Sequence, residues 1–146
     1  GKVIVERSAA TPAESRTTIT VSAVAQATIS LNGPFTFNAA AGTNPADQTL
    51  AISNTGTAAL NWTGSDNATW LTLGITSDSL IAGSSQDVTL TVISSALAVG
   101  AYTATITITD PSATNSPQTV DVTLNVTAAP TVTVAPLMPS RVHVDE

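Results

Sequence analysis

An antiparallel β-sandwich is the fold class this chain predicts, and three observations carry the prediction. Residues 101–109 alternate strictly, with Tyr102, Ala104, Ile106 and Ile108 on one side and Thr103, Thr105, Thr107 and Thr109 on the other. After a loop of turn formers, Asp110-Pro111-Ser112 to Asn115-Ser116-Pro117, the alternation resumes: Val120, Val122, Leu124 and Val126 oppose Thr119, Asp121, Thr123 and Asn125. Two such runs make a hairpin with one aliphatic and one Thr-rich face, and the aliphatic face needs a second sheet to cover it. Short runs of the same kind, parted by Asn, Gly, Asp and Pro, fill the rest of the chain, and no helical period of useful length interrupts them.

Taken in order, residues 2–6 form a short alternating run with Val3 and Val5 on one face, followed by a breaker-rich segment around Pro12. Residues 17–31 then alternate without a break, with Ile19, Val21, Ala23, Ala25, Ala27, Ile29 and Leu31 on one side. A single strand of that length would extend roughly 50 Å, far beyond the five to six residues that strands commonly have. Such a run either bends into two strands meeting at residues 23–27 or extends beyond its own domain, and the second reading is preferred. Asn32-Gly33-Pro34 is a turn, Phe35 and Phe37 share one face of a short strand, and residues 39–45 read as a loop. Leu50 and Ile52 alternate inward, Asn54-Thr55-Gly56 turns, and Leu60 and Trp62 alternate again before a turn at residues 64–67 and a run from Trp70 to Leu73. Residues 77–85 read as irregular; Val88, Leu90 and Val92 make the next strand, and Leu97-Ala98-Val99-Gly100 returns the chain to the hairpin. Beyond Ala128-Ala129-Pro130, Val132 and Val134, then Val142 and Val144, are strand fragments without a partner in sequence. The predicted organisation is an extended strand arm at 1–31, a sandwich at 32–127 and a strand-like tail at 128–146.

Composition narrows the function classes. A chain of 146 residues suits one domain with extensions, and its core must be aliphatic, since hydrophobic content is 42% but aromatic content only 3%. There is no Cys, which removes disulfides, thiol nucleophiles and thiolate metal sites together. The chain begins at Gly1 without the blocks of a signal peptide, which reads as a processed or excised product, and no apolar run approaches the roughly 20 residues that span a bilayer. Net charge is −6, and the four basic residues, Lys2, Arg7, Arg16 and Arg141, all lie near the ends. An acidic body with no basic patch argues against nucleic acid and against anionic membranes, both of which are bound through Lys and Arg. It also offers trypsin-like proteases nothing to cut, as suits an extracellular or surface location.

The segment from Gln48 to Val126 resembles the BACON family of bacterial immunoglobulin-like modules. The resemblance rests on Ile52-Ser53-Asn54-Thr55-Gly56, Leu60-Asn61-Trp62, Trp70-Leu71, the run from Leu97 to Tyr102, and Pro117-Gln118-Thr119-Val120. It implies an immunoglobulin-like sandwich of a secreted or surface protein, a class for which carbohydrate binding has been proposed. The chain departs from that pattern in the length of both flanking segments and in having no enzymatic domain beside the module.

Catalysis has little to work with. His143 is the only histidine and Lys2 the only lysine, so no triad forms within the chain and no catalytic residue is predicted. The Asp residues fall at strand ends and turns; Asp66 and Asp78 are the one pair that would meet across a loop to hold Ca²⁺, and no metal or other cofactor is expected. Trp62, Trp70 and Tyr102 are the natural candidates for a glycan-stacking platform, but their places beside Leu60, Leu71 and Ala104 assign them to the core. Asn61, Asn67 and Asn125 match the glycosylation acceptor pattern, which a Thr-rich chain produces by chance. The strongest clue is the absence of Lys from residues 17–140, because exposed strand edges usually carry Lys, Pro or bulges against unwanted pairing. Edges of that kind are either covered or meant to pair. The expectation is a non-catalytic extracellular subunit that joins copies of itself by β-strand exchange into a filament or layer, with Ile19, Val21, Ala23, Ala25, Ala27, Ile29 and Leu31 as the donor row. A carbohydrate-binding module and a passive immunoglobulin-like spacer are the alternatives.

Overall fold

Period-two alternation with frequent turn residues becomes strand after strand. A computed structural model describes residues 2–5 and 19–136, and their strands are β1 (Lys2–Val5), β2 (Ile19–Ser22), β3 (Ile29–Leu31), β4 (Phe35–Ala40), β5 (Gln48–Asn54), β6 (Leu60–Asp66), β7 (Leu71–Leu73), β8 (Ser77–Leu80), β9 (Ser85–Val92), β10 (Gly100–Thr109) and β11 (Gln118–Thr127). One sheet has the order β4-β11-β10-β6-β8, the other β3-β5-β9-β7, and β1 pairs with β2 alone. The sandwich is therefore immunoglobulin-like, with the hairpin β10–β11 at the centre of the larger sheet in the register Ile106 to Val120 and Ala104 to Val122. All named pairings are antiparallel except β4 on β11.

The two sheets meet through the aliphatic rows that the alternation assigns inward. Leu50, Ile52, Val88 and Leu90 from the smaller sheet face Ile106, Ile108, Val122 and Leu124 from the larger, all of them fully buried. A fully buried side chain of this size stabilises the fold by about 1.5–3 kcal/mol. Tyr102, at the start of β10, packs against this core and donates its hydroxyl to the Ala98 carbonyl at 2.9 Å. This is the tyrosine corner of immunoglobulin-like sandwiches, and it pins the loop that enters β10.

The run at residues 17–31 is not one strand. Residues 19–22 pair with β1, residues 23–26 are exposed and outside any strand, and Ala27 makes an isolated bridge to Ala113 in the β10–β11 loop. Ile29–Leu31 then joins the smaller sheet against β5. The sandwich thus begins at Gln26, inside the stretch expected to be an arm, because peptide groups from there on have partners at home: Thr57 N donates to Gln26 O at 2.8 Å, Thr114 N to Ala27 O at 3.0 Å and Thr55 N to Thr28 O at 3.0 Å. Three smaller differences have the same origin in tertiary pairing. β4 runs on through Ala39 and Ala40, which pair with Val126 and Thr127. Part of the stretch read as irregular is β8, whose Leu80 is buried opposite Leu60. Residues 128–136 form no strand and are exposed, while Val142, Val144 and His143 lie outside the described residues.

Two polar side chains tie the ladder ends. Buried Asn54 donates to Ala58 O at 2.7 Å and Leu80 O at 3.1 Å, and it accepts from Gly56 N at 3.0 Å and Thr28 N at 3.4 Å, so one side chain holds the start of β3, the β5–β6 turn and the end of β8. Gly56 is obligatory beside it, since a Cβ there would lie 2.6 Å from Thr28 N. Asp110 is also buried, and it accepts from Asn61 N at 2.7 Å, Ser112 N at 2.8 Å and Ser112 Oγ at 2.7 Å. Burial works to raise its pKa, but the Ser112 hydroxyl and the N–H groups of Ser112 and Asn61 outweigh it and hold the carboxyl below its ordinary range.

Asn54→Ala leaves the Ala58 and Leu80 carbonyls unpaired, at about 1–3 kcal/mol for each buried polar group so orphaned, and urea unfolding is expected to show the loss as a lower midpoint at unchanged slope. For Asp110 the folded pKa lies below the unfolded value of about 3.9, so its contribution to stability is present above that pH and is lost as pH falls through the folded value. Urea midpoints followed from about pH 7 to about pH 2 should therefore carry an acid-side fall that Asp110→Asn lacks.

Candidate functional site

The candidates named from sequence part into four groups. Trp62 is 1% exposed and Trp70 9%, so neither presents a ring face on which a pyranose stacks; Tyr102 is half-buried with its hydroxyl committed to Ala98. The platform expected as the glycan alternative is thus taken into the core, because a chain this poor in aromatics spends its large rings on filling volume. Asp66 and Asp78 are also engaged locally, accepting from Ala68 N at 3.0 Å and Ser79 N at 2.7 Å. Among the described residues no three His, Cys, Asp or Glu gather in a way that could hold a metal. Of the glycosylation candidates, Asn61 is exposed on β6, Asn67 accepts from Thr105 N at 2.8 Å, and Asn125 donates to Asn38 Oδ1 at 3.1 Å.

The donor row divides at Ala27. Ala27 and Ile29 are buried in the sandwich and Leu31 packs against it, so these three serve their own domain. Val21, Ala23 and Ala25 stay exposed, and Ile19 belongs to β2. The row is therefore split between two environments, since one alternating face continues across the point where the chain enters its own sheet.

Sheet edges are the remaining place where a partner strand could act. Those at β7 and β8 are three and four residues long, and short edges limit pairing with other chains as lysines do elsewhere. The β3 edge is closed by an amide: Asn115 accepts from Ile29 N at 2.9 Å and donates to Ile29 O at 2.7 Å, offering the same donor and acceptor as a neighbouring strand. Asn32 repeats the device on β5, accepting from Ala51 N at 2.7 Å and donating to Thr49 O at 3.1 Å where the backbone leaves for the other sheet. Asn67 supplies half of it, accepting from Thr105 N on the side of β10 that β6 no longer reaches. These amides are what sequence reasoning missed; the only signal was Asn beside turns, which ordinary turn geometry explains equally well.

One seam stays open. β4 covers β11 only from Val122 onward, so among the described residues no strand pairs with residues 118–121 on that side. The chain reaches β4 through Gly33, whose φ is 128° and whose hypothetical Cβ would lie 2.7 Å from Val120 Cγ1. The result is a cleft of about 460 Å³ lined by residues 29–34 on one side and 118–121 on the other. Its sides belong to different sheets.

No family model and no curated protein matches the chain. Solved structures do. A protein of unknown function from Porphyromonas gingivalis W83 is 15% identical with a TM-score of 0.59, over 86% of this chain and 64% of that one. The PapD-like domain 7 of human CEP192 is 16% identical with a TM-score of 0.53, over 73% of this chain and 89% of that one. A GH5 xyloglucanase of Bacteroides ovatus is 18% identical with a TM-score of 0.51 over 72% of this chain, which spans only 20% of the enzyme's chain. At these identities the likeness is one of fold, and it is to immunoglobulin-like and PapD-like β-sandwiches.

Proposed function

We propose that this chain is a non-catalytic structural module of an extracellular or cell-surface assembly, joined end to end with copies of itself through β-strands that lie outside its sandwich. The observation that carries this reading is where the chain enters and leaves. Ala27 lies beside the β10–β11 loop, and β11 runs away from that loop to Thr127, so the chain enters and leaves the sandwich at opposite poles. Both carry exposed apolar residues that the core does not use: Val21 and Val24 at one pole, Val132 and Val134 at the other. A head-to-tail contact between unlike poles does not close on itself and grows into a filament or layer. Main-chain hydrogen bonds supply affinity in such strand addition and alternate side chains set the register.

The same polarity suits a spacer module in a tandem array, and the resemblance of residues 48–126 to BACON-type modules is in keeping with either use. Carbohydrate binding has less support, because Trp62 and Trp70 are core residues. No helix among the described residues is long and apolar enough to cross a membrane.

Sedimentation velocity and electron microscopy of the full chain test the reading. The expected result is growth with concentration into linear particles, reduced when residues 1–25 or 128–146 are removed, both deletions sparing the sandwich. A single monomeric species up to millimolar concentration would overturn it in favour of the spacer. Trp70→Ala should lower the unfolding midpoint by the equivalent of about 3–5 kcal/mol; loss of glycan-array binding with stability unchanged would restore the carbohydrate alternative.

A further inference from the structure

Building on the end-to-end reading above, we infer that the cleft between β3 and β11 is the acceptor for the segment around Val132 and Val134 of a second copy, which enters it as an added strand. The cleft is bordered by two strand edges. On β11, residues 118–121 lack the partner that β4 gives to residues 122–127. On β3, the Ile29 N–H and C=O point away from β5, since both bond to Asn115. By strand alternation the Leu31 N–H and C=O point the same way, into the cleft, and among the described residues no side chain caps them as Asn115 caps Ile29. An extended segment laid there meets peptide groups ready to bond and the apolar side chains of Leu31, Pro34 and Val120.

The tail has the matching pattern. Val132 and Val134 stand two residues apart, so they share one face of an extended segment, and they are 88% and 81% exposed. Thr131 and Thr133 take the other face, toward water. Residues 128–136 carry no charge, so entering beside Asp121 strands no like charge in the contact.

Length decides that the occupant comes from another molecule. The tail leaves the sandwich at Thr127, and the near end of the cleft is Asp121, six positions back along β11 or about 20 Å away. Val132 lies five positions past Thr127, a reach of at most about 18 Å, so Val132 falls short of its own cleft and cannot enter it together with Val134. Val24 is as exposed as Val134, but residues 23–26 adjoin Ala27 at the cleft's own pole, where an exchange would pair like poles and stop at a dimer. The tail alone stands at the opposite pole and propagates.

The chain has no cysteine, which makes directed cross-linking a clean test. Thr119→Cys places a thiol on the exposed face of β11 at the cleft, and Thr133→Cys one on the outward face of the tail. Full-length chains carrying one substitution each, mixed and mildly oxidised, should give a mixed disulfide dimer at least about tenfold more abundant than Thr133→Cys mixed with Thr49→Cys on the outer face of β5. A chain carrying both cysteines should give a ladder of oligomers, and adding Val132→Asp and Val134→Asp should abolish it while circular dichroism stays unchanged, since neither valine is in the sandwich. If the full chain assembles but the Thr119 and Thr133 thiols cross-link no better than the control, or assembly survives the double Asp substitution, the cleft is not the acceptor although the end-to-end reading stands. If the chain stays monomeric throughout, both fall.

Discussion

A strand that ends must leave peptide groups behind, and this molecule satisfies them without cationic side chains. No Lys, Arg or His occurs between Ile19 and Pro136, so no side-chain ion pair forms in the sandwich. The work passes to asparagine amides, each carrying a donor and an acceptor at peptide-like spacing. Asn54 is the one on which the rest depends, because it joins β3, the β5–β6 turn and β8 from inside the core, where water cannot stand in for a lost partner. Asn32 and Asn115 do the same at the surface, and between them they let the chain pair with β5, then cross to β11, within a few residues.

That crossing also creates the cleft. β3 belongs to the smaller sheet and β4 to the larger, so the turn at residues 32–34 spans the edge of the sandwich and cannot also cover residues 118–121. Gly33 brings the turn close to Val120 but supplies no strand. The open seam is thus a consequence of how one edge segment is shared between two sheets.

Much of the sandwich could be read in advance, because half-buried strands write their burial into alternate residues. Residues 101–126 alternate cleanly and pair as the hairpin expected of them. Alternation says which side of a strand is apolar but not whose core receives it, and so it puts residues 27–31 in an arm although Ile29 is buried at home. The same blindness covers β8, where Ser77, Asp78 and Ser79 carry no apolar signal and the pairing with β6 alone makes a strand of them. The amide clamps were hidden for a different reason: Asn115 acts on Ile29 across 86 positions, a relation no local pattern records. Its neighbour Leu60 places Trp62 inward, but its buried indole Nε1 has no hydrogen-bond partner among the described residues, a detail set by packing rather than pattern.

Reliance on neutral amides exposes the fold to a slow chemical clock. Asn32 precedes Gly33, whose missing side chain leaves the following nitrogen free to attack the amide, and Asn is among the thermolabile residues for this reason. Loss of ammonia there would replace the Nδ2 that bonds Thr49 O with a carboxylate oxygen, turning attraction into repulsion at the corner where the chain changes sheets. Such a molecule ages first at the crossing rather than at its centre.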